Sequence, residues 1–159
     1  MDKEKGLFLT CSELVARGFY TGNIPLIPGT FGSCVGFAIW YFVTDFLLYW
    51  GLFAIILFFS IPGIKSVVVE TGFKDPSYVV VDEILGFMVA GGIFERDLLT
   101  GVSLFILFRL FDILKPWPAS WANREEGVQF IILDDLIAGM YAAIIHYFLI
   151  VKILIPFWR

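Results

Sequence analysis

The chain has 159 residues, of which 59% are apolar and 16% charged; its net charge is −4 and its mean hydropathy +0.87. That apolar share exceeds what a soluble domain carries, and the length fits a single domain over residues 1–159. An acid excess without a basic patch excludes nucleic-acid binding, and Cys11 and Cys34 lack the spacing of a metal or redox motif, which leaves them as free thiols. The few charges are grouped between apolar runs, the pattern of a polytopic membrane protein. Asp2 to Lys5 precede no long apolar core, so the start does not read as a cleavable signal peptide.

Leu7, Phe8, Cys11, Leu14, Val15 and Phe19 recur at helical spacing around Glu13 and Arg17. This predicts a short amphipathic helix lying on a membrane surface, ended by Thr21-Gly22-Asn23. Pro28-Gly29-Thr30-Phe31-Gly32-Ser33 follows, in which Thr30 and Ser33 could each cap a helix. The glycines would let backbone N–H groups approach an anion closely, and a simple capped helix start is the alternative. The apolar run from Val35 to Gly63 exceeds the roughly 20 residues of one span. It predicts a hairpin: a helix from Gly32 to Val43, a turn at Asp45, and a second helix from Phe46 to Pro62 that extends in more polar form towards Thr71.

Gly72 to Pro76 reads as a loop. Asp82-Glu83 then stand before a short, glycine-rich apolar segment, Ile84 to Phe94. Two acids there suit the positive end of a helix dipole, and equally a metal site. Glu95-Arg96-Asp97 is a polar turn, and Leu98 to Leu114 a further span. Its end carries Arg109, Asp112 and Lys115, stopped by Pro116 and Pro118. Arg109 and Asp112 fall one turn apart on nearly one face, while Lys115, preceding a proline, leaves the helix. Two cations around a carboxylate can grip a phosphate beside a divalent cation. A structural ion pair with Trp117 and Trp121 as interfacial anchors is the plainer reading.

Lys115 to Gln129 is the most polar loop. Asp134-Asp135 then interrupt an apolar run and are read as the start of the last span, Leu136 to Pro156. Two adjacent carboxylates at that depth are costly unless neutralised. Gly139 suits a close helix contact, and the lone His146 reads as a packed, hydrogen-bonded residue.

With the N-terminus in the cytoplasm and about five spans, one of them short, the Thr30 motif, Asp82-Glu83, Arg109-Asp112-Lys115 and Asp134-Asp135 all fall on one face. Lys3, Lys5, Arg17, Lys65, Lys74, Lys115 and Arg124 fall there too, which is the positive-inside bias. Asp82, Glu83, Asp112, Asp134 and Asp135 thus form a pool of hard oxygen donors, suited to Mg²⁺ without His or Cys. Arg109 and Lys115, with Thr30 and Ser33, are the candidate phosphate ligands. The expected fold is all-α: a polytopic membrane bundle with an N-terminal interfacial helix.

Four blocks in register, Pro28 to Ser33, Asp75-Pro76 through Glu83, Phe108 to Pro118, and Leu133-Asp134-Asp135 with Ala138-Gly139, together resemble the phosphatidylglycerophosphatase A family over residues 25–145. The resemblance implies a Mg²⁺-dependent lipid phosphatase of the bacterial inner membrane, its active site at the cytoplasmic face. It would convert phosphatidylglycerophosphate and water to phosphatidylglycerol and phosphate. Two features depart from the family. Asn123 stands where an aspartate is usual, and the approach to the paired aspartates, Gly127-Val128-Gln129, is one residue shorter, so that loop is given no catalytic role. A metal-activated water and an aspartyl-phosphate intermediate both remain open, as does the oligomeric state. The alternatives are a phosphatase of another membrane lipid phosphate and, from a different class, a carboxylate-coupled membrane transporter.

Overall fold

The computed structural model describes residues 2–148 and Lys152. The described residues form seven α-helices and one 3₁₀ turn, with no strand, so the all-α expectation holds. The helices are α1 (Asp2–Ala16), α2 (Pro28–Phe42), α3 (Phe46–Thr71), α4 (Val81–Gly91), α5 (Leu98–Leu114), α6 (Ala119–Arg124) and α7 (Val128–Ile145).

Local chemistry fixes most ends. Proline opens α2, where its missing N–H costs nothing. Asp45 caps α3 by accepting the Leu48 N–H at 2.8 Å, and Asp97 caps α5 by accepting the Thr100 N–H at 3.0 Å. The Thr100 hydrogen bond, against a smaller opposing effect of burial, holds the Asp97 carboxyl below its ordinary pKa. Gly72, at φ +71°, ends α3, and Lys115 leaves α5 in the left-handed region.

α4 is the centre of the bundle. All of its residues except Glu83 and Val89 are buried, against α2, α5 and α7. Eleven residues reach only about 16 Å at 1.5 Å each, so α4 ends inside the protein. Its last carbonyls are met by side chains: Trp40 Nε1 donates to Gly91 O at 2.7 Å, and the Tyr49 hydroxyl to Met88 O at 2.6 Å. α4 crosses α7 where two glycines meet. A Cβ on Gly139 would lie 2.2 Å from the Gly86 carbonyl oxygen, and one on Gly86 would lie 2.7 Å from the Asp135 carbonyl oxygen.

Among the described residues two helices are long and apolar enough to cross a membrane: α3, and α7 with its continuation to Phe148. α2, α4 and α5, at 15, 11 and 17 residues, are shorter. The expected extension of the second helix past Pro62 is present: α3 runs through the proline to Thr71. α2 begins at Pro28 rather than Gly32, and the polar loop from Lys115 to Gln129 contains α6. α7 begins at Val128, so Asp134 and Asp135 lie inside the helix rather than at its start. The predicted stretch of this span towards Pro156 lies outside the described residues.

α1 is a helix as expected, but its buried positions are Ser12 and Ala16 rather than the larger apolar residues. Those small residues let it lie close against α3, where Ser66 donates to Glu13 Oε1 at 2.5 Å. His146 is packed as expected, with Nδ1 2.9 Å from the Ser103 hydroxyl and its ring against Phe94. Cys11 and Cys34 are unpaired thiols.

Gly139→Ala should force α7 off α4 and destabilise the protein by about 1–3 kcal/mol, read as a lower thermal midpoint in detergent. Gly51→Ala is the control: no atom lies within 4 Å of its added Cβ, and it should raise helix stability by roughly 0.5–1 kcal/mol. Equal behaviour of the two variants would contradict the close crossing.

Candidate active site

One end of the bundle holds an open cavity of about 310 Å³. Its wall takes Gly29 and Thr30 from α2, Asp75 and Ser77 from the α3–α4 connection, Asp82 and Glu83 from α4, Arg109 and Asp112 from α5, Lys115, and Asp134 and Asp135 from α7. Four segments far apart in sequence thus bring together the five predicted carboxylates, both cations and Thr30.

The ion pairs divide the acids into two sets. Arg109 Nη1 lies 2.6 Å from Asp112 Oδ2, the one-turn pairing that the spacing predicts, and 4.0 Å from Glu83 Oε1. The Lys115 ammonium pairs directly with Asp134 and lies 3.4 Å from Asp112 Oδ1 and 3.5 Å from Asp135 Oδ1. Burial works against this ammonium, but the carboxylates of Asp135, Asp134 and Asp112 outweigh it, so its pKa stands above the ordinary lysine value. Lys115 is therefore cationic throughout the neutral range.

The second set is only partly neutralised: Glu83 and Asp135 have their longer contacts to Arg109 and Lys115, and Asp82 has no ion pair among the described residues. Asp82 Oδ1, Glu83 Oε2 and Asp135 Oδ2 are buried and have no hydrogen-bond partner among the described residues. One carboxylate oxygen from each of these residues can be chosen so that all three lie within 4.8 Å of one another. Buried carboxylates without partners are strongly unfavourable. A hard divalent cation answers that deficit, and an all-oxygen donor set is what Mg²⁺ takes. The residues present fit such an ion, and Asp82, Glu83 and Asp135 are the ones that would hold it.

Gly29 makes room for this arrangement. A Cβ there would meet Glu83 Oε1 at 2.1 Å and Arg109 Nη1 at 3.3 Å. The glycine therefore admits the two side chains, rather than only freeing its own N–H. Neither Thr30 nor Ser33 caps α2, whose N-cap is Ile27 without a side-chain bond. Thr30 lines the cavity. Ser33 is fully buried behind it, donating to Gly29 O at 2.9 Å, with Arg109 Nη1 at 3.4 Å from its hydroxyl oxygen. Its place is that of a support for Arg109.

Asp75 and Ser77 also line the cavity, and the sequence reading assigned neither. Asp75 is exposed and has no ion pair among the described residues. Its signal was the Asp75-Pro76 block, an acid fixed ahead of a proline within a loop. The neighbouring Lys74 Nζ donates to Arg124 O at 2.9 Å, tying this loop to the end of α6. Asn123 lines a smaller cavity, of about 210 Å³, which shares Asp75.

Against this geometry stand the similarities to known proteins. A family model described as Phosphatidylglycerophosphatase A matches residues 14–150. The chain is 32% identical over 143 residues to "Phosphatidylglycerophosphatase A" of Escherichia coli (strain K12), covering 86% of this chain and 82% of that protein. It is 31% identical over 141 residues to the Haemophilus influenzae protein of the same name, covering 84% and 85%. It is also 33% identical over 141 residues to a Bacteroides thetaiotaomicron protein named "Putative phosphatidylinositol-3-phosphatase", covering 83% and 89%. No solved structure matches. The all-helical bundle with its cavity of acids and cations is that of an enzyme, a phosphoric monoester hydrolase. More narrowly, the chain belongs to the phosphatidylglycerophosphatase A family.

Lys115→Met leaves Asp134 and its neighbours uncompensated and should cost about 2 kcal/mol, discounted for the partial exposure of the lysine. Adding Asp134→Asn to it should restore part of that loss. A double variant as unstable as the sum of both singles would show that the pair contributes nothing.

Proposed function

We propose that this protein removes the phosphomonoester of phosphatidylglycerophosphate, yielding phosphatidylglycerol and phosphate, with Mg²⁺ as cofactor. The observation that carries the reading is the trio Asp82, Glu83 and Asp135, each with one buried carboxylate oxygen lacking a hydrogen-bond partner among the described residues, beside two held cations in one cavity. The family supports the substrate class. Two helices of membrane-spanning length, with bacterial relatives, support membrane association. The finer reading is a multi-pass protein of the bacterial inner membrane, with α1 at the interface and the cavity facing the cytoplasm.

The roles follow from the pairing. Arg109, oriented by Asp112 and Ser33, offers its remaining N–H groups to the phosphate oxygens. Lys115, held among Asp112, Asp134 and Asp135, adds a second positive charge where negative charge gathers in phosphoryl transfer. Thr30 gives a hydroxyl donor on the wall. Mg²⁺, when bound, neutralises phosphate charge and acidifies water. Asp75, free of ion pairs, takes the proton of the attacking water as the new P–O bond forms and the bond to the glycerol oxygen breaks. The departing oxygen is protonated from solvent at the open mouth.

A second reading within this chemistry is a phosphatase for another phosphorylated lipid. The relative named for phosphatidylinositol 3-phosphate favours it, since a similar chain is associated there with a different headgroup. A carboxylate-coupled transporter fits less well: its carboxylates would sit near mid-membrane in interrupted helices, whereas this cavity opens at one end of the bundle.

Phosphate release from phosphatidylglycerophosphate by the detergent-purified protein tests the reading. Release should require Mg²⁺, cease with EDTA, and fall by at least about 10²-fold in Asp135→Asn and in Asp82→Asn. Undiminished release in both variants, or full release in EDTA, would overturn the metal-site assignment. Release from phosphatidylinositol 3-phosphate alone would move the assignment to the second reading.

A further inference from the structure

Beside the catalytic cavity lies a second, larger one of about 530 Å³. The two share Leu26, Pro28 and Ser77, so one extended ligand can occupy both. The second cavity has a different chemistry. Among the described residues no carboxylate lines it, and its one charged wall residue is Arg17.

The segment that supplies much of its wall runs against local preference. Leu26, in the wall, is a non-glycine residue at φ +84°, and Phe19 and Tyr20, between the wall residues Arg17 and Gly22 in the chain, stand at φ +55° and +70°. Such backbone persists only where surrounding contacts over-determine it, and it collects at ligand sites. The contacts are present. The Val80 N–H donates to Ala16 O at 3.1 Å, and a Cβ on Gly22 would lie 2.1 Å from the Tyr78 carbonyl oxygen. Phe19, Tyr20 and Leu26 are exposed, Leu26 at 96%. Exposed apolar residues next in the chain to a cation are the composition of a lipid interface.

Arg17 is only partly engaged. Its Nη2 donates to Glu70 Oε2 at 2.8 Å, and its guanidinium lies 5.3 Å from the centre of the Tyr78 ring. Its other N–H groups have no hydrogen bond within the described residues. Glu70 is mostly exposed, so this pair is weak and a better-placed anion can compete with it.

We propose that this second cavity binds the phosphodiester of a glycerophospholipid substrate through Arg17, while the phosphomonoester of the same molecule occupies the Arg109–Lys115 cavity. This rests on the lipid-phosphatase reading. A lipid with a phosphorylated headgroup carries both groups: a dianionic monoester at its tip and a monoanionic diester between headgroup and glycerol backbone. The two cavities match that order of charge. One has two cations and a metal-suited acid trio, the other a single arginine free of competing cavity acids. Arg17 and its cavity would then distinguish such lipids from those with one phosphate.

The test is binding of dihexanoyl phosphatidylglycerol, which has the diester and no monoester, to the full chain in detergent by calorimetry, alongside KM for phosphatidylglycerophosphate. Arg17→Gln should weaken binding about tenfold and raise KM in parallel, as loss of a charged hydrogen bond does. Glu70→Gln should do the opposite, tightening binding several-fold because it frees the guanidinium. A purely structural role for the pair predicts losses in both variants and would overturn the proposal. Weaker binding in Arg17→Gln with an unmoved KM would also overturn it, since the diester would then belong to a separate lipid. Should Arg17→Gln fail to fold, unchanged binding in Glu70→Gln is decisive against it. If the wild type binds through Arg17 yet releases no phosphate, the diester site stands and the phosphatase reading falls. Release with Arg17-independent binding has the reverse meaning.

Discussion

The close crossing of α4 and α7 at Gly86 and Gly139 is the constraint from which the site follows. Side chains at that point would hold the two backbones apart. With them in contact, Asp82 and Glu83, one turn up α4 from Gly86, come level with Asp135, one turn up α7 from Gly139. The acid trio is therefore a product of backbone proximity rather than of side-chain reach. The other end of α4 is fixed just as firmly, since Trp40 and Tyr49 meet its last carbonyls. A short helix pinned at its far end and crossed at its middle can present its first turn with little freedom to relax. On the proposed reading that rigidity matters, because a relaxed trio would separate and no longer suit a small, hard cation.

The acids are then sorted by what neutralises them. Asp112 and Asp134 are served by Arg109 and Lys115, and Asp82, Glu83 and Asp135 have buried oxygens that no protein group serves. Six carboxylates line a cavity with two cations, an imbalance that protein charge does not close. A stability argument alone gives no reason to retain it, because apolar residues of similar size would pack there at lower cost. The imbalance has meaning only if the cavity takes up positive charge from outside. The two cations have a complementary logic: each is tethered by carboxylates, so each can meet a phosphate without first being ordered.

Much of this was legible in the sequence, for local reasons. Asp97 and the Lys115-Pro116 step mark both ends of α5, and the spacing of Arg109 and Asp112 already gives their ion pair. What was not legible depends on partners remote in the chain. Asp134-Asp135 look like an interruption because their neutralising ammonium is Lys115, which reaches them only in the fold. α7 therefore starts earlier than its charges suggest. Ser33 read as a cap, yet its role is set by Arg109 on another helix. α1 fails for a different reason. Where the outer surface is also apolar, hydrophobic periodicity no longer separates inside from outside, and small residues such as Ser12 and Ala16 mark the buried stripe instead.

The same division bears on how relatives of one chain can be named for different headgroups. The acid trio and the tethered cations come from the packed interior, where a change in one residue is felt by several helices. They would act on any phosphomonoester brought to them. The approach to them is made of other material: the Thr21–Asn23 turn, the Leu26–Ile27 segment and the Asp75–Ser77 loop. These pieces lie at the surface, where substitutions and changes of length are tolerated without disturbing the core. On the proposed reading, the chemistry is therefore fixed by the α4–α7 crossing, and headgroup choice is written in the connections that border it. Asn123, which lines the small cavity next to Asp75, lies on that border rather than in the cavity of acids and cations.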